Sequence, residues 1–275
     1  IPHEMKTAFR WKAVFLCCLF PFLHMHLQEG CSLKKTYRKK ERAGVRWLWV
    51  TVLGLIGTLA VTTMNSLDRI TVQTGSLETH VQTIVLDAGH GGEDGGSVSA
   101  DGVLEKDINL AIAQKLKPLL ESSGIRVIMV REEDVSVGDQ TLDTVRERKV
   151  SDLHNRLKLV EEHPDCLLVS IHQNHFSQSQ YWGTQLFYSP NCPESQQLAE
   201  SIQGSVVQYL QPENRRECKP AGNTIYLLWN AQVPAVIVEC GFLSNPSETA
   251  LLQKEEYQMQ MAVTLWNGIL NYLEK

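Results

Sequence analysis

Among the cysteines of this chain there is no CxxC pair, so a structural zinc knuckle is not expected. The glycine-rich run that begins at Gly89 is not followed by the Lys of a P-loop and contains Glu93 and Asp94, which argues against a phosphate cradle. There is no internal repeat and no low-complexity tract. Beyond residue 77 the chain also lacks any excess of positive charge. Residues 1–77 hold eleven Lys/Arg against four Asp/Glu, whereas the remainder holds fifteen against twenty-seven. Nucleic-acid binding needs basic charge on the folded part, so no nucleic-acid partner is expected. With 43% apolar and 21% charged residues the composition is that of a globular protein rather than a disordered one.

Of the seven cysteines, Cys17, Cys18 and Cys31 fall in the basic leader. Cys166 and Cys240 adjoin apolar runs and are expected to be buried as small hydrophobes. Cys192 and Cys218 form a candidate bridge if the compartment is oxidising.

The basic leader covers residues 1–46. It is followed at 47–64 by WLWVTVLGLIGTLAVTTM, which carries no charge. A spanning helix needs roughly 17–25 apolar residues, so this run reaches the required length as a transmembrane helix or signal segment. Lys34, Lys35, Arg38, Lys39, Lys40, Arg42 and Arg46 lie just upstream and orient the C-terminal body outside the membrane. The chain opens on Ile1, and part of the leader is expected to lie upstream of the true start, at Leu33 or at Met5. Residues 65–81 read as a polar linker, which leaves 82–275 as the folded domain.

Within that domain, residues 83–86, 126–130, 167–171, 183–188 and 234–238 read as strands. Residues 104–120, 141–160, 193–209 and 257–273 show helical spacing. Strands that are apolar on both faces and alternate with helices predict an α/β fold with a twisted, mostly parallel sheet flanked by helices. In such sheets ligands bind beyond the C-terminal strand ends. Three expected strands end in candidate ligands: IVLDAGHGG in His90, LLVSIHQNH in His172 and PAVIVECGF in Glu239. Glu105 opens the first long helix. Taken singly, each has an ordinary structural explanation. Together they supply two histidines and a carboxylate, the ligand set of many catalytic zinc sites, with a second carboxylate as general base and then acid.

These same segments, IVLDAGHGGEDGG, GVLEKDINLAIAQKL, RLKLVEEHPDCLLVSIHQNHF and QVPAVIVECGFLSNPSE, resemble the zinc N-acetylmuramoyl-L-alanine amidases of the amidase-3 type over nearly the whole body. The resemblance implies that His90, Glu105 and His172 bind one Zn2+ per chain and that Glu239 is the catalytic acid/base. It implies a phosphorylase/hydrolase-like fold. The substrate it implies is the amide between N-acetylmuramic acid and L-alanine in peptidoglycan. YWGTQLFY and the single membrane-directed leader most resemble the members linked to spore cortex and germination, where amide cleavage prepares muramic δ-lactam formation and a muramic acid deacetylase is a functional partner. His175 is left out of the metal shell because strand period two points it away from His172. Asp87 and Asn174 are candidates for orienting the imidazoles, and the Gly91–Gly92 backbone for an oxyanion contact. The competing readings are a zinc peptidoglycan carboxypeptidase, for which Arg131, Arg146 and Arg148 could read a terminal carboxylate, and a non-catalytic wall-binding module.

Overall fold

The computed structural model describes residues 82–274. The leader, the apolar run at 47–64 and the linker at 65–81 lie outside the described residues. Among the described residues no helix is long and apolar enough to cross a membrane.

The chain folds in the order β1 (Thr83–Ala88), α1 (Glu105–Ser122), β2 (Arg126–Met129), α2 (Val145–Glu161), β3 (Cys166–Asn174), β4 (Gln185–Tyr188), α3 (Glu194–Tyr209), β5 (Lys219–Pro220), α4 (Tyr226–Asn230), β6 (Ala235–Phe242), α5 (Pro246–Leu252) and α6 (Glu255–Leu273). The six strands form one sheet in the order β2-β1-β3-β6-β4-β5. β2, β1, β3 and β6 run parallel, β4 is antiparallel to β6, and β5 is parallel to β4. The sheet is therefore mixed, with a parallel centre, as the strand–helix alternation predicts.

Both faces of that centre are apolar because alternate residues of each strand enter different cores. Ile84, Leu86, Val169, Ile171, Val236 and Val238 pack with α1, α3 and α6. Val85, Leu168, Ala235 and Ile237 face the other way, toward α2 and α4. By this alternation His172 and Glu239 belong to the α2/α4 face.

Local signals explain the boundaries. Thr144 and Glu147 form a reciprocal capping box, so α2 starts at Val145 rather than at 141. α1 terminates at Gly124, which sits at φ +80°. Asn245 caps α5 with Pro246 in its first turn, a start signal that the reading above passed over. β3 and β6 extend beyond His172 and Glu239. They are sheet neighbours whose ladder resumes after a bulge, at Asn174 opposite Phe242. Cys166 and Cys240 are buried as expected, whereas Cys192 and Cys218 are both free thiols. Cys192 instead donates to Glu194 at 2.9 Å.

Beneath the C-terminal edge of the sheet lies a buried ion pair. Asp87 on β1 is 1% exposed and Arg156 on α2 is 3% exposed, and the two are hydrogen-bonded. Arg156 also binds Asp152 one helical turn back, and Ser170 Oγ donates to Asp87 at 2.6 Å. Burial opposes ionisation of Asp87, yet Arg156 first, with His172 and the Ser170 hydroxyl, holds its carboxyl below the usual range. Its stabilising contribution is therefore complete above the unfolded carboxylate value of about 3.9 and is lost as pH falls through the lower folded value. Arg156→Met, which leaves Asp87 buried and unpaired, is expected to lower the unfolding free energy by about 3–5 kcal/mol in urea titrations at neutral pH. Adding Asp87→Asn should recover much of that loss. Equal stability of Arg156→Met and the wild type would show that the pair contributes nothing.

Candidate active site

β1 delivers the chain to Gly89 and His90 at the parallel centre of the sheet. Gly89 Nα donates to Ile171 O at 3.0 Å, tying the turn to β3. A Cβ at Gly89 would stand 2.2 Å from the His172 ring, so only glycine lets that imidazole lie across the turn. His90 is the one non-glycine with positive φ (62°) among the described residues. Such a backbone costs on the order of 1–3 kcal/mol and persists only where the surroundings fix it. Here Arg156 Nη2 donates to His90 O at 2.7 Å.

Glu105, 2% exposed, reaches over the strand ends from the first turn of α1. Its Oε1 lies 2.9 Å from His172 Nδ1, 3.3 Å from His90 Nε2 and 3.0 Å from Gln173 N. Its Oε2 accepts from Ser97 N at 2.8 Å. The imidazoles meet edge to face with centroids 5.0 Å apart. One donor atom from each of His90, Glu105 and His172 falls within 4.8 Å of the others. Gly96 closes the back of this cradle: at φ +68°, a Cβ there would come within 2.6 Å of His90 and 2.7 Å of Glu105.

Burial disfavours the charged form of His90, but hydrogen bonds to Asp94 and Glu105 prevail and push it up to about 9. The same two imidazoles, against burial, draw Glu105 well below the carboxylate range. This mutual attraction between one carboxylate and two nitrogens is the field that favours a divalent cation among them. Two nitrogens and a carboxylate oxygen suit zinc as a three-ligand set. The ring of His90 is further oriented by Asp94, whose Oδ2 lies 2.9 Å from Nδ1, leaving Nε2 toward Glu105.

Glu239 is the backbone partner of His172 in the β3–β6 ladder, so its side chain rises beside the triad. Its Oε2 is sealed from solvent and has no hydrogen-bond partner. Burial pushes its carboxyl up to about 7, with the attraction of His172 and His90 opposing and the repulsion of Glu105 adding to the rise. The four residues singled out from sequence therefore come together. His90, His172 and Glu239 line one side of a cleft of about 320 Å³ whose other wall is Lys149 and Leu153 on α2 with Ile225, Tyr226 and Leu227, and Glu105 lies buried behind the two imidazoles.

Other expectations fare differently. Asp87 binds Arg156 and Ser170 rather than an imidazole. Asn174 gives its carbonyl to Leu243 N. The Gly91 and Gly92 N–H groups are already committed, to Asp94 O at 2.9 Å and Asp134 Oδ1 at 2.8 Å, and are not free oxyanion donors. His175 is exposed and outside the triad. Arg131 is buried, donating to Ala88 O, Gly89 O, Lys106 O and Glu133 O. Arg148 is engaged by Glu93, and Arg146 lines a separate surface depression. Sequence reasoning missed Asn109 and Arg156 and gave Asp94 and Arg131 other roles. Asn109 was legible as the residue one turn after Glu105, where i,i+4 side chains meet. The two arginines carry no local signal.

The family described as N-acetylmuramoyl-L-alanine amidase matches residues 84–271. The germination-specific N-acetylmuramoyl-L-alanine amidase of Bacillus subtilis (strain 168) is 38% identical over 197 residues, covering 72% of this chain and 82% of that protein. Among solved structures, the CwlD amidase from Clostridioides difficile, in complex with the GerS lipoprotein, matches at TM-score 0.68 and 43% identity, covering 70% of this chain and 98% of that one. The amidase AmiC2 of Nostoc punctiforme matches at TM-score 0.60 and 28% identity, covering 70% and 98%.

Gly96→Ala is expected to displace His90 or Glu105 and to weaken divalent-metal affinity by about 10- to 100-fold in chelator competition. Gly204→Ala, on an open helix surface, should leave that affinity unchanged. Equal affinities for the two variants would show that the cradle is not a metal site.

Proposed function

The chain belongs to the N-acetylmuramoyl-L-alanine amidase family and is a peptidoglycan amidase; from that premise we propose that it is zinc-dependent, with His90, Glu105 and His172 as ligands and Glu239 as acid/base. The observation that carries this reading is the sealed, partnerless Oε2 of Glu239 beside a converging donor triad. A buried carboxyl with no protein partner needs one from a ligand.

When bound, zinc supplies polarisation of the lactyl carbonyl and a water of lowered pKa. Glu239 takes the proton of the attacking water and delivers it to the departing nitrogen. The carbonyl carbon gains an oxygen, the C–N bond breaks, and the products are a lactyl carboxylate on the glycan and the free amine of L-alanine. Asp94 keeps the Nδ1 proton of His90, which holds its Nε2 lone pair toward the triad.

The finer biology follows the likeness to the germination-specific B. subtilis enzyme. The proposed setting is spore cortex, where the product feeds muramic δ-lactam formation beside a muramic acid deacetylase. Residues 82–275 are the proposed catalytic domain, held extracytoplasmically by the apolar segment at 47–64 behind its basic leader. The complex of the C. difficile relative with a lipoprotein supports a partner at the membrane surface. Against the carboxypeptidase alternative, Arg131 and Arg148 are committed and Arg146 is remote from the cleft, so none serves as a receptor for a terminal carboxylate. Against a non-catalytic wall-binding module stands the presence of all four residues.

Incubation with isolated peptidoglycan is expected to expose new N-terminal L-alanine. Glu239→Gln should keep about one zinc per chain while losing at least about 10²-fold in turnover. His90→Ala and His172→Ala should lose zinc and activity together. Free D-alanine as product would establish the carboxypeptidase instead, and activity retained by Glu239→Gln would remove that residue from proton transfer.

A further inference from the structure

The β4 side of the site carries a feature that the hydrolytic chemistry leaves unused. Between β3 and β4 the chain presents Phe176, Tyr181 and Trp182, which are 48%, 40% and 43% exposed. The first two rings are packed in place, and Trp182 is held through its backbone at the edge of a neighbouring depression with Pro212 and Leu251. Phe176 meets Tyr181 edge to face at 5.0 Å, and Tyr181 lies tilted against the buried Phe242 at 6.5 Å. Arg216 stacks on Phe242 at 4.4 Å and donates to Trp182 O at 2.7 Å. The backbone beneath is pinned as well: Asn245 Nδ2 donates to Tyr181 O, and Gly183 N donates to the buried Glu248 carboxylate at 3.0 Å. Half-exposed aromatics on a loop anchored this way form a pre-organised surface.

This surface continues directly into the catalytic edge. Arg216 Nη1 donates to Gln185 Oε1 at 3.0 Å, and Gln185 is the direct cross-strand partner of Glu239. Residues opposite one another in an antiparallel pair have Cβ atoms about 4.5–5.5 Å apart. Tyr181 itself packs on Phe242, three residues beyond Glu239 on β6.

The substrate's covalent structure requires two binding surfaces. The scissile amide joins a peptide to a lactyl ether on a sugar, so the glycan strand must pass within a few bonds of Glu239 while the stem leaves in another direction. The α2/α4 cleft offers Leu153, Ile225 and Leu227 for apolar parts of the stem, its Lys149 being paired with Asp94. The loop before β4 offers exposed flat aromatic faces that suit the C–H faces of uncharged sugar rings. Resting on the amidase reading above, we propose that Phe176, Tyr181 and Trp182 form the shelf on which sugars of the glycan strand stack, making the enzyme selective for polymeric glycan over isolated muramoyl-peptides.

The test compares the full-length wild type with Trp182→Ala, Tyr181→Ala and Trp182→Phe on two substrates. One is solubilised glycan strands bearing stem peptides, and the other is N-acetylmuramoyl-L-alanyl-D-isoglutamine, with a single sugar. Loss of stacking in the Ala variants should raise KM for strands about five- to tenfold at unchanged kcat, because binding remote from the reacting bond is uniform. The single-sugar substrate should change less than about twofold, and Trp182→Phe should keep most strand affinity. Peptide-free glycan should bind the wild type and fail to bind Trp182→Ala. Parallel losses on both substrates, or no change on either (as a protein-docking face would give), would overturn the shelf. If the wild type cleaved neither substrate the amidase reading would fail first, and peptide-free glycan binding would still decide the shelf.

Discussion

The guanidinium of Arg156 donates into the end of β1 from beneath, to the carboxylate of Asp87, to Ala88 O and to His90 O. Removing a charge of this kind from water is unfavourable unless its donors are satisfied, so Arg156 and its acceptors constrain one another tightly. What that constraint secures is the left-handed backbone of His90, which no side chain favours by itself. With His90 so placed, Asp94 can take one ring nitrogen while Glu105 receives the other, and His172 can lie against the bare Cα of Gly89. Arg131 repeats the device from β2's end, holding Ala88 O, Gly89 O and Lys106 O, and so fixing the loop of His90 relative to the helix of Glu105. The donor triad is thus assembled by two buried arginines that touch none of its ligand atoms.

That division explains what was legible in the sequence. The central strands announced themselves as apolar runs, and the sites at their ends followed from where ligands bind in open α/β sheets. The long-range arrangements did not show: that β4 turns antiparallel against β6 depends on pairing across the sheet, and nothing local in GTQLFY encodes direction. Asp94 was read as a repulsive charge because its partner was taken to be a ligand anion, whereas the structure places it against an imidazole and Lys149. Asp87 was assigned to the wrong partner for a related reason. An acid on a buried strand needs a counter-charge, and Arg156 lies 69 positions away on α2.

The electrostatics also separate the two carboxylates of the site. Glu105 lies against a ring nitrogen of each imidazole and accepts from two backbone N–H groups, which holds it ionised. Glu239, a strand away, has a buried oxygen without a donor, and its carboxyl is pushed up to about 7. Environments that split two acids in this way suit one to ligation and the other to proton traffic near neutral pH. Glu239 lines the cleft walled by α2 and α4, so the acid meant for proton traffic faces the space a substrate would enter.

The central claim is that His90, Glu105 and His172 hold one zinc ion beside Glu239. Its most direct test is an anomalous difference map at the zinc edge from crystals of the metal-loaded protein. The account predicts a single strong peak at about 2.0–2.2 Å from a nitrogen of each histidine and an oxygen of Glu105, with Glu239 unligated. A peak bound through His175, Asp94 or Glu239, or none at the triad in a protein shown to contain zinc, would contradict it.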